Sequence, residues 1–164
     1  MLVNLQSDEN PQVRQVGGKA ASLIRLAQAG FSVPAGSVLT TDFFAPWVEQ
    51  VEHHPRWHDV LSSLNNIRTP QPNAKDRESL TQACDELKQT TTDFAFTQAQ
   101  RSALDEIRLG MADHRFAIRS SSPEEDLANA SFAGLYETVL SVTSASLEAA
   151  VGRCFRSCLD ARVL

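Results

Sequence analysis

A chain of 164 residues is long enough for one domain, or a large piece of one, with a sizeable core. An apolar fraction of 42% and a charged fraction of 21% are ordinary for a soluble globular protein. The net charge of -5 argues against nonspecific binding to nucleic acid or to an anionic membrane, and leaves room for a local basic pocket.

The first residues, MLVNLQSDENPQVRQ, have no basic segment followed by an apolar run and do not read as a signal peptide. No stretch approaches the roughly 18 apolar residues needed to span a membrane, so a cytoplasmic protein is expected. Lys19 to Ala29 reads as a helix, because Ala20, Leu23, Ile24 and Ala27 fall on one face. Gly17 and Gly18 precede it, and Gly30 can supply the left-handed residue that closes it. Ser37 to Thr41 reads as a short strand. Thr41 or Asp42 is placed to cap a second helix through Phe43, Trp47 and Val51. His53 to Asn73 is less regular and ends in the breaker Thr69-Pro-Gln-Pro-Asn73. The histidines His53, His54, His58 and His114 sit in no recognisable motif and read as surface residues.

Asp76 to Gln89 reads as helical, with Leu80, Cys84 and Leu87 inward. Thr97 starts another helix, with Gln100 where a capping box wants it and Leu104, Ile107 and Met111 on the apolar face. Arg115 to Ser120 is expected as a buried strand ending in serines. Tyr136 to Val142 is expected as a further strand, with Tyr136, Leu140 and Val142 on one face. Ser144 or Ser146 opens a last helix with Leu147, Ala150, Val151, Cys154 and Cys158 inward. The three cysteines, Cys84, Cys154 and Cys158, form no CxxC pair and no Cys/His metal spacing, so reduced thiols acting as small core residues are expected. Helices alternating with a few strands predict an α+β fold, with helices packed on a small mixed or antiparallel sheet.

Three segments carry possible chemistry. Gly17-Gly18-Lys19 opens a helix, where free amides and the helix dipole favour an anion and the lysine adds a mobile charge. Taken alone, the same residues describe a flexible turn with a solvated lysine, and the spacing is not that of a Walker loop. Phe116-Ala-Ile-Arg119-Ser-Ser-Ser122 sets an arginine at the exit of an apolar strand. That position suits either a phosphate or a salt bridge to Glu124, Glu125 or Asp126. Ala130-Ser-Phe-Ala-Gly134 is either a phosphate-binding turn or an ordinary loop, with Phe132 as its anchor. The acidic run 124–126 reads better as a solvated helix start than as a metal site. No catalytic nucleophile and no metal-ligand set is evident.

In combination these segments are more specific. GGKAASLIRLAQAGFSVPAGSVLTTDFF and FAIRSSSPEEDLANASFAGLYETVLSV resemble the two hallmarks of the nucleotide-binding domain of phosphoenolpyruvate synthase and pyruvate phosphate dikinase, and CFRSCLDARV resembles a later helix of it. Rifampicin phosphotransferase opens with a similar domain. The resemblance implies an ATP-grasp fold, in which two lobes clamp ATP, and makes residues 1–164 an incomplete N-terminal subdomain of it. It implies that Lys19, Arg119, Gly134 and Thr138 bind the ATP phosphates, with Gly17, Gly18, Ser120 and Ser131 in support. In that family ATP and Mg2+ serve transfer of the β-phosphoryl group to a carrier histidine on a swivelling domain, then to pyruvate, water or an antibiotic. Leu135 departs from the glutamine common after SFAG. The remaining lobe, the magnesium carboxylates, the phosphohistidine domain and the substrate domain are expected outside this chain, in the same or a separate polypeptide. A rifampicin-type enzyme, a noncatalytic nucleotide-binding or regulatory module, and one chain of a split enzyme are the alternatives.

Overall fold

The computed structural model describes residues 1–68, 73–111, 114–122 and 137–163. β1 (Leu2–Asn4) reaches across the chain to its partner strand through a short α1 (Val13–Val16) and the longer α2 (Gly18–Gln28). α2 buries Ala20, Ala21 and Ile24, whereas Leu23 is turned outward. Its end is closed as expected. Gly30 takes φ 83°, its N–H donates to Ala27 O at 3.0 Å, and the Phe31 N–H donates to Leu26 O at 3.0 Å, the paired bonds of a Schellman motif. β2 (Ser37–Leu39) then pairs antiparallel with β1, Val3 opposite Val38, and the pair packs on Val16, Ala20 and Ala21.

The next helix, α3 (Thr41–His53), starts from Thr40, not from Thr41 or Asp42 as the sequence suggests. The Thr40 N–H is drawn to Met1 O at 3.0 Å by the β1–β2 pairing, so the chain turns one residue earlier. The cap is imperfect: Thr40 Oγ1 is buried without a hydrogen-bond partner among the described residues. The stretch after His53 is not irregular. α4 (Pro55–Ile67) runs there, with Pro55 in its first turn and His54 Nδ1 accepting from the Arg56 N–H at 3.2 Å. Proline has no N–H to leave unsatisfied at that position and its fixed φ suits a helix start. α5 (Ala74–Thr90) is capped by Asn73 and Asp76 in a reciprocal box, and packs Leu80, Ala83, Cys84 and Leu87 against Val51, Val60 and Leu159.

α6 (Gln98–Met111) carries the expected capping box. The Thr97 N–H donates to Gln100 Oε1 at 2.8 Å, and the Gln100 N–H donates to Thr97 Oγ1 at 3.2 Å. Gln100 is fully buried because its amide also donates to Phe43 O at 2.7 Å, joining α6 to α3. β3 (Phe116–Arg119) and β4 (Thr138–Val142) form a second antiparallel pair. β3 is half-buried, not buried, since Ala117 and Arg119 face out. The alternation expected in β4 also fails. Phe116 pairs with Val142 but Ile118 with Val139, so β4 holds one extra residue there, and Ser141 takes φ 57°. This bulge turns Leu140 outward, 69% exposed, and puts Val139 and Val142 inward. A 3-10 turn, Ser144–Ser146, leads into α7 (Leu147–Ser157), whose Leu147, Ala150, Val151 and Cys154 are buried, while Cys158 is only half-buried.

The fold is therefore α+β, with two separate antiparallel strand pairs among the described residues instead of one sheet. The main core joins α3, α6, α7 and the β3–β4 pair around Phe43, Trp47, Leu104, Val142, Leu147 and Val151. Trp47 meets Phe96 edge-on at 4.7 Å and Phe155 at 5.2 Å, while its indole N–H donates to Ala95 O at 3.1 Å. Burial of each large side chain contributes about 1.5–3 kcal/mol, and each favourable aromatic pair adds about 0.5–1.5 kcal/mol. Near the C-terminus, Asp160 accepts from Arg162 and from Lys88 Nζ at 3.0 Å, and these partners hold its carboxyl well below the usual range despite partial burial. No helix among the described residues is long and apolar enough to cross a membrane.

Gln100→Ala removes the acceptor for the Thr97 N–H and the donor for buried Phe43 O in one change. Loss of the cap and an orphaned carbonyl together are expected to cost about 2–4 kcal/mol in urea denaturation. A loss under about 0.5 kcal/mol, the range of surface changes, would contradict the assigned role.

Candidate functional site

The site is built where the N-terminus of α2 meets the exit of β3. Gly17 is the pivot between α1 and α2, with its N–H donating to Val13 O at 2.7 Å and its backbone at φ 78°, ψ 165°. That conformation is nearly confined to glycine. There is also no room for a side chain: a Cβ on Gly17 would stand 1.7 Å from the Ser121 carbonyl oxygen. Two hydrogen bonds complete the junction. The Gly18 N–H donates to Ser122 O at 3.2 Å, and the Ala20 N–H donates to Ser121 Oγ at 3.0 Å. The sequence reading leaves these first-turn amides open to an anion. In the structure Gly18 and Ala20 are engaged by the chain itself, and it is Ser121 and Ser122, more than Ser120, that hold them.

The charged residues gather around this junction. Lys19 lies between the two bonded residues Gly18 and Ala20 and is partly exposed. Arg119 is the last residue of β3, two before Ser121, and is exposed with no ion pair among the described residues. Thr138 opens β4 directly opposite Arg119, so the two side chains share one face of the pair. Glu137, just before it, forms an ion pair with Arg153 of α7, and its N–H donates to Ser157 Oγ at 3.3 Å. Cys154 Sγ lies 3.8 Å from Glu137 O, as a weak donor to it. Burial pushes the Cys154 thiol up to about 11. The Glu137 charge adds to that rise, and the Lys19 ammonium opposes it. Lys19 itself is tied through its neighbours Gly18 and Ala20 to the segment two and three residues beyond Arg119. Burial likewise raises the Cys84 thiol to about 11, so both thiols stay protonated near neutral pH and are poor nucleophiles.

Residues 13–164 match the family model described as pyruvate phosphate dikinase, AMP/ATP-binding domain. The chain belongs to this family. The rifampicin phosphotransferase of Streptomyces sviceus is 30% identical over 166 residues, which cover 99% of this chain and 18% of that protein. The probable phosphoenolpyruvate synthase of Methanocaldococcus jannaschii is 28% identical over 162 residues, covering 94% of this chain and 13% of that one. The phosphoenolpyruvate synthase of Escherichia coli is 33% identical over 138 residues, covering 79% of this chain and 16% of that one. The chain thus spans less than a fifth of the length of these relatives.

Of the phosphate-site residues that the family resemblance implies, Lys19, Arg119 and Thr138 are brought to one neighbourhood, with Gly17, Gly18 and Ser120 beside them. Gly134 and Ser131 lie outside the described residues, as do Phe132, Leu135, Tyr136 and the acidic run 124–126. The local chemistry suits a polyphosphate: the Arg119 guanidinium, without an ion pair among the described residues, lies at a strand end opposite Thr138, and Lys19 brings an ammonium at the adjoining helix start. Among the described residues no group of three His, Cys, Asp or Glu side chains is arranged to hold a metal ion. His53 and His54 serve helix ends, with His53 Nδ1 2.7 Å from Glu49 O. Sequence reasoning missed Ser121, because its partners are Gly17 and Ala20, some hundred residues away.

Gly17→Ala is the sharpest test of the junction. The glycine-only backbone and the overlap with Ser121 O predict a loss of about 3 kcal/mol or more on urea unfolding. A change below about 1 kcal/mol would mean that α2 and β3 are not locked in this way.

Proposed function

We propose that this chain supplies the phosphate-gripping part of the ATP site in a dikinase-type phosphotransferase. Residues 1–164 then form one portion of an ATP-grasp domain, and the remaining lobe, the carrier-histidine domain and the acceptor domain come from other residues. Lys19 contributes a mobile point charge to the phosphates, and Arg119 contributes a planar fork of donors from a fixed strand end. Thr138 adds a hydroxyl opposite Arg119, and the family resemblance adds Gly134 as a further phosphate contact. Carboxylates outside this chain would hold Mg2+, which would supply further neutralisation of the phosphate charge. Positioning and charge neutralisation are what phosphoryl transfer asks of a protein, so these residues need no nucleophile of their own.

This reading is supported by the bonding of the α2 start, which carries Lys19, to the segment after β3, whose last residue Arg119 lies opposite Thr138, in a chain that belongs to the AMP/ATP-binding domain family. The transfer step in view is from the β-phosphoryl of ATP to a carrier histidine, as in a pyruvate, water dikinase. Similarity to the rifampicin phosphotransferase over 99% of the chain supports an antibiotic as the alternative final acceptor. Acceptor choice would change nothing in the roles of Lys19, Arg119 and Thr138.

In the intact protein, Lys19→Ala or Arg119→Ala is expected to lower label transfer from β-labelled ATP to the carrier histidine by about 100-fold or more. The thermal midpoint should move by no more than a few degrees, about the effect of 1 kcal/mol, because both side chains lie outside the core. Transfer at the unaltered rate in either variant would sink the assignment.

A further inference from the structure

An α-helix leaves its first amides without intrahelical partners, and the side chain of the residue at the N-cap normally satisfies the third of them. In α2 the N-cap is Gly17, which has no side chain and cannot have one. The amide that a cap would serve belongs to Ala20, and it donates to Ser121 Oγ at 3.0 Å. A residue 101 positions away thus caps α2 in place of its own N-cap residue. The consequence falls on Lys19. The residue before it is bonded to Ser122 O and the residue after it to Ser121 Oγ, so its backbone is fixed on both sides to the segment that follows Arg119.

We propose that Ser121 is a positioning residue of the nucleotide site: its hydroxyl, by capping the Ala20 amide, sets the Lys19 ammonium in register with Arg119. This rests on the reading of Lys19 and Arg119 as phosphate contacts. Ser121 need not touch the nucleotide to do so. Its effect is transmitted through one turn of helix, and it differs from a general stabilising role because the main core around Phe43, Trp47 and Leu147 lies elsewhere. Gly17 makes the arrangement possible, since only its bare Cα lets the Ser121 backbone come close enough for the hydroxyl to reach into the helix start.

The test is a double-mutant cycle on ATP affinity in the intact protein, read by calorimetry with Mg2+ present. Ser121→Ala should weaken ATP binding about tenfold, a typical effect of losing one cap-strength interaction that acts on binding. In a Lys19→Ala background the same change should alter affinity by less than about twofold, because the residue being positioned is gone. Ser121→Cys, which keeps the side-chain shape with a slightly larger and much weaker acceptor, should show the same pattern even if the alanine variant folds poorly. An equal loss in both backgrounds, or no loss in the protein that retains Lys19, would overturn the positioning role while leaving the phosphate site intact. A Lys19→Ala variant that binds ATP as tightly as the natural sequence would overturn the phosphate reading itself, and this inference with it.

Discussion

The approach of Gly17 to the Ser121 carbonyl is closer than any side chain permits, and the two phosphate-site candidates that flank it depend on that closeness. With a Cβ overlap at 1.7 Å, residue 17 has to be glycine for α2 to start where it does. Once it starts there, Gly18 and Ala20 fall within hydrogen-bonding distance of Ser122 and Ser121, and Lys19 is carried to the exit of β3. The usual view of a glycine-rich helix start is a set of open amides waiting for an anion. Here the glycines bring protein to protein, and Lys19 and Arg119 are mounted on the joined elements.

Such a joint is useful only if both halves are anchored. α2 is held by Val16, Ala20 and Ala21 against the β1–β2 pair. The other half is held by the larger core. Phe116, Ile118, Val139 and Val142 seat the β3–β4 pair on α7 and α3, and Phe44 stacks on Phe155 at 5.7 Å. Arg108 joins α6 to α7 through Glu148 at 2.9 Å. The bulge at Ser141 belongs to the same argument. It keeps Val142 and Val139 inward while the strand start, with Thr138 opposite Arg119, stays at the surface where a ligand can meet it.

What could be read from the sequence was mostly local. The Gly30 termination of α2 and the Thr97–Gln100 box depend on residues a few positions apart, and both appear in the structure as expected. The start of α4 is equally local, yet residues 53–73 read from the sequence as less regular, because the signal of a proline in the first turn of a helix went unused. The exposure of Leu140 was not legible, since a bulge is set by how two strands register across the sheet. The family signature groups Lys19, Arg119 and Thr138 as phosphate contacts. It gave no reason for their proximity. That reason lies in Ser121, one of three consecutive serines, distinguished from its neighbours only by which atom it points at Ala20.

The central claim is that α2 is capped from the β3 exit, so its first turn is not open. Amide hydrogen exchange resolved by residue tests this most directly. In an ordinary helix the first-turn amides exchange almost unprotected. The Gly18 and Ala20 amides are expected to exchange as slowly as that of Ile24 in the middle of α2. Exchange of Gly18 and Ala20 near the unprotected rate, with Ile24 still protected, would contradict it.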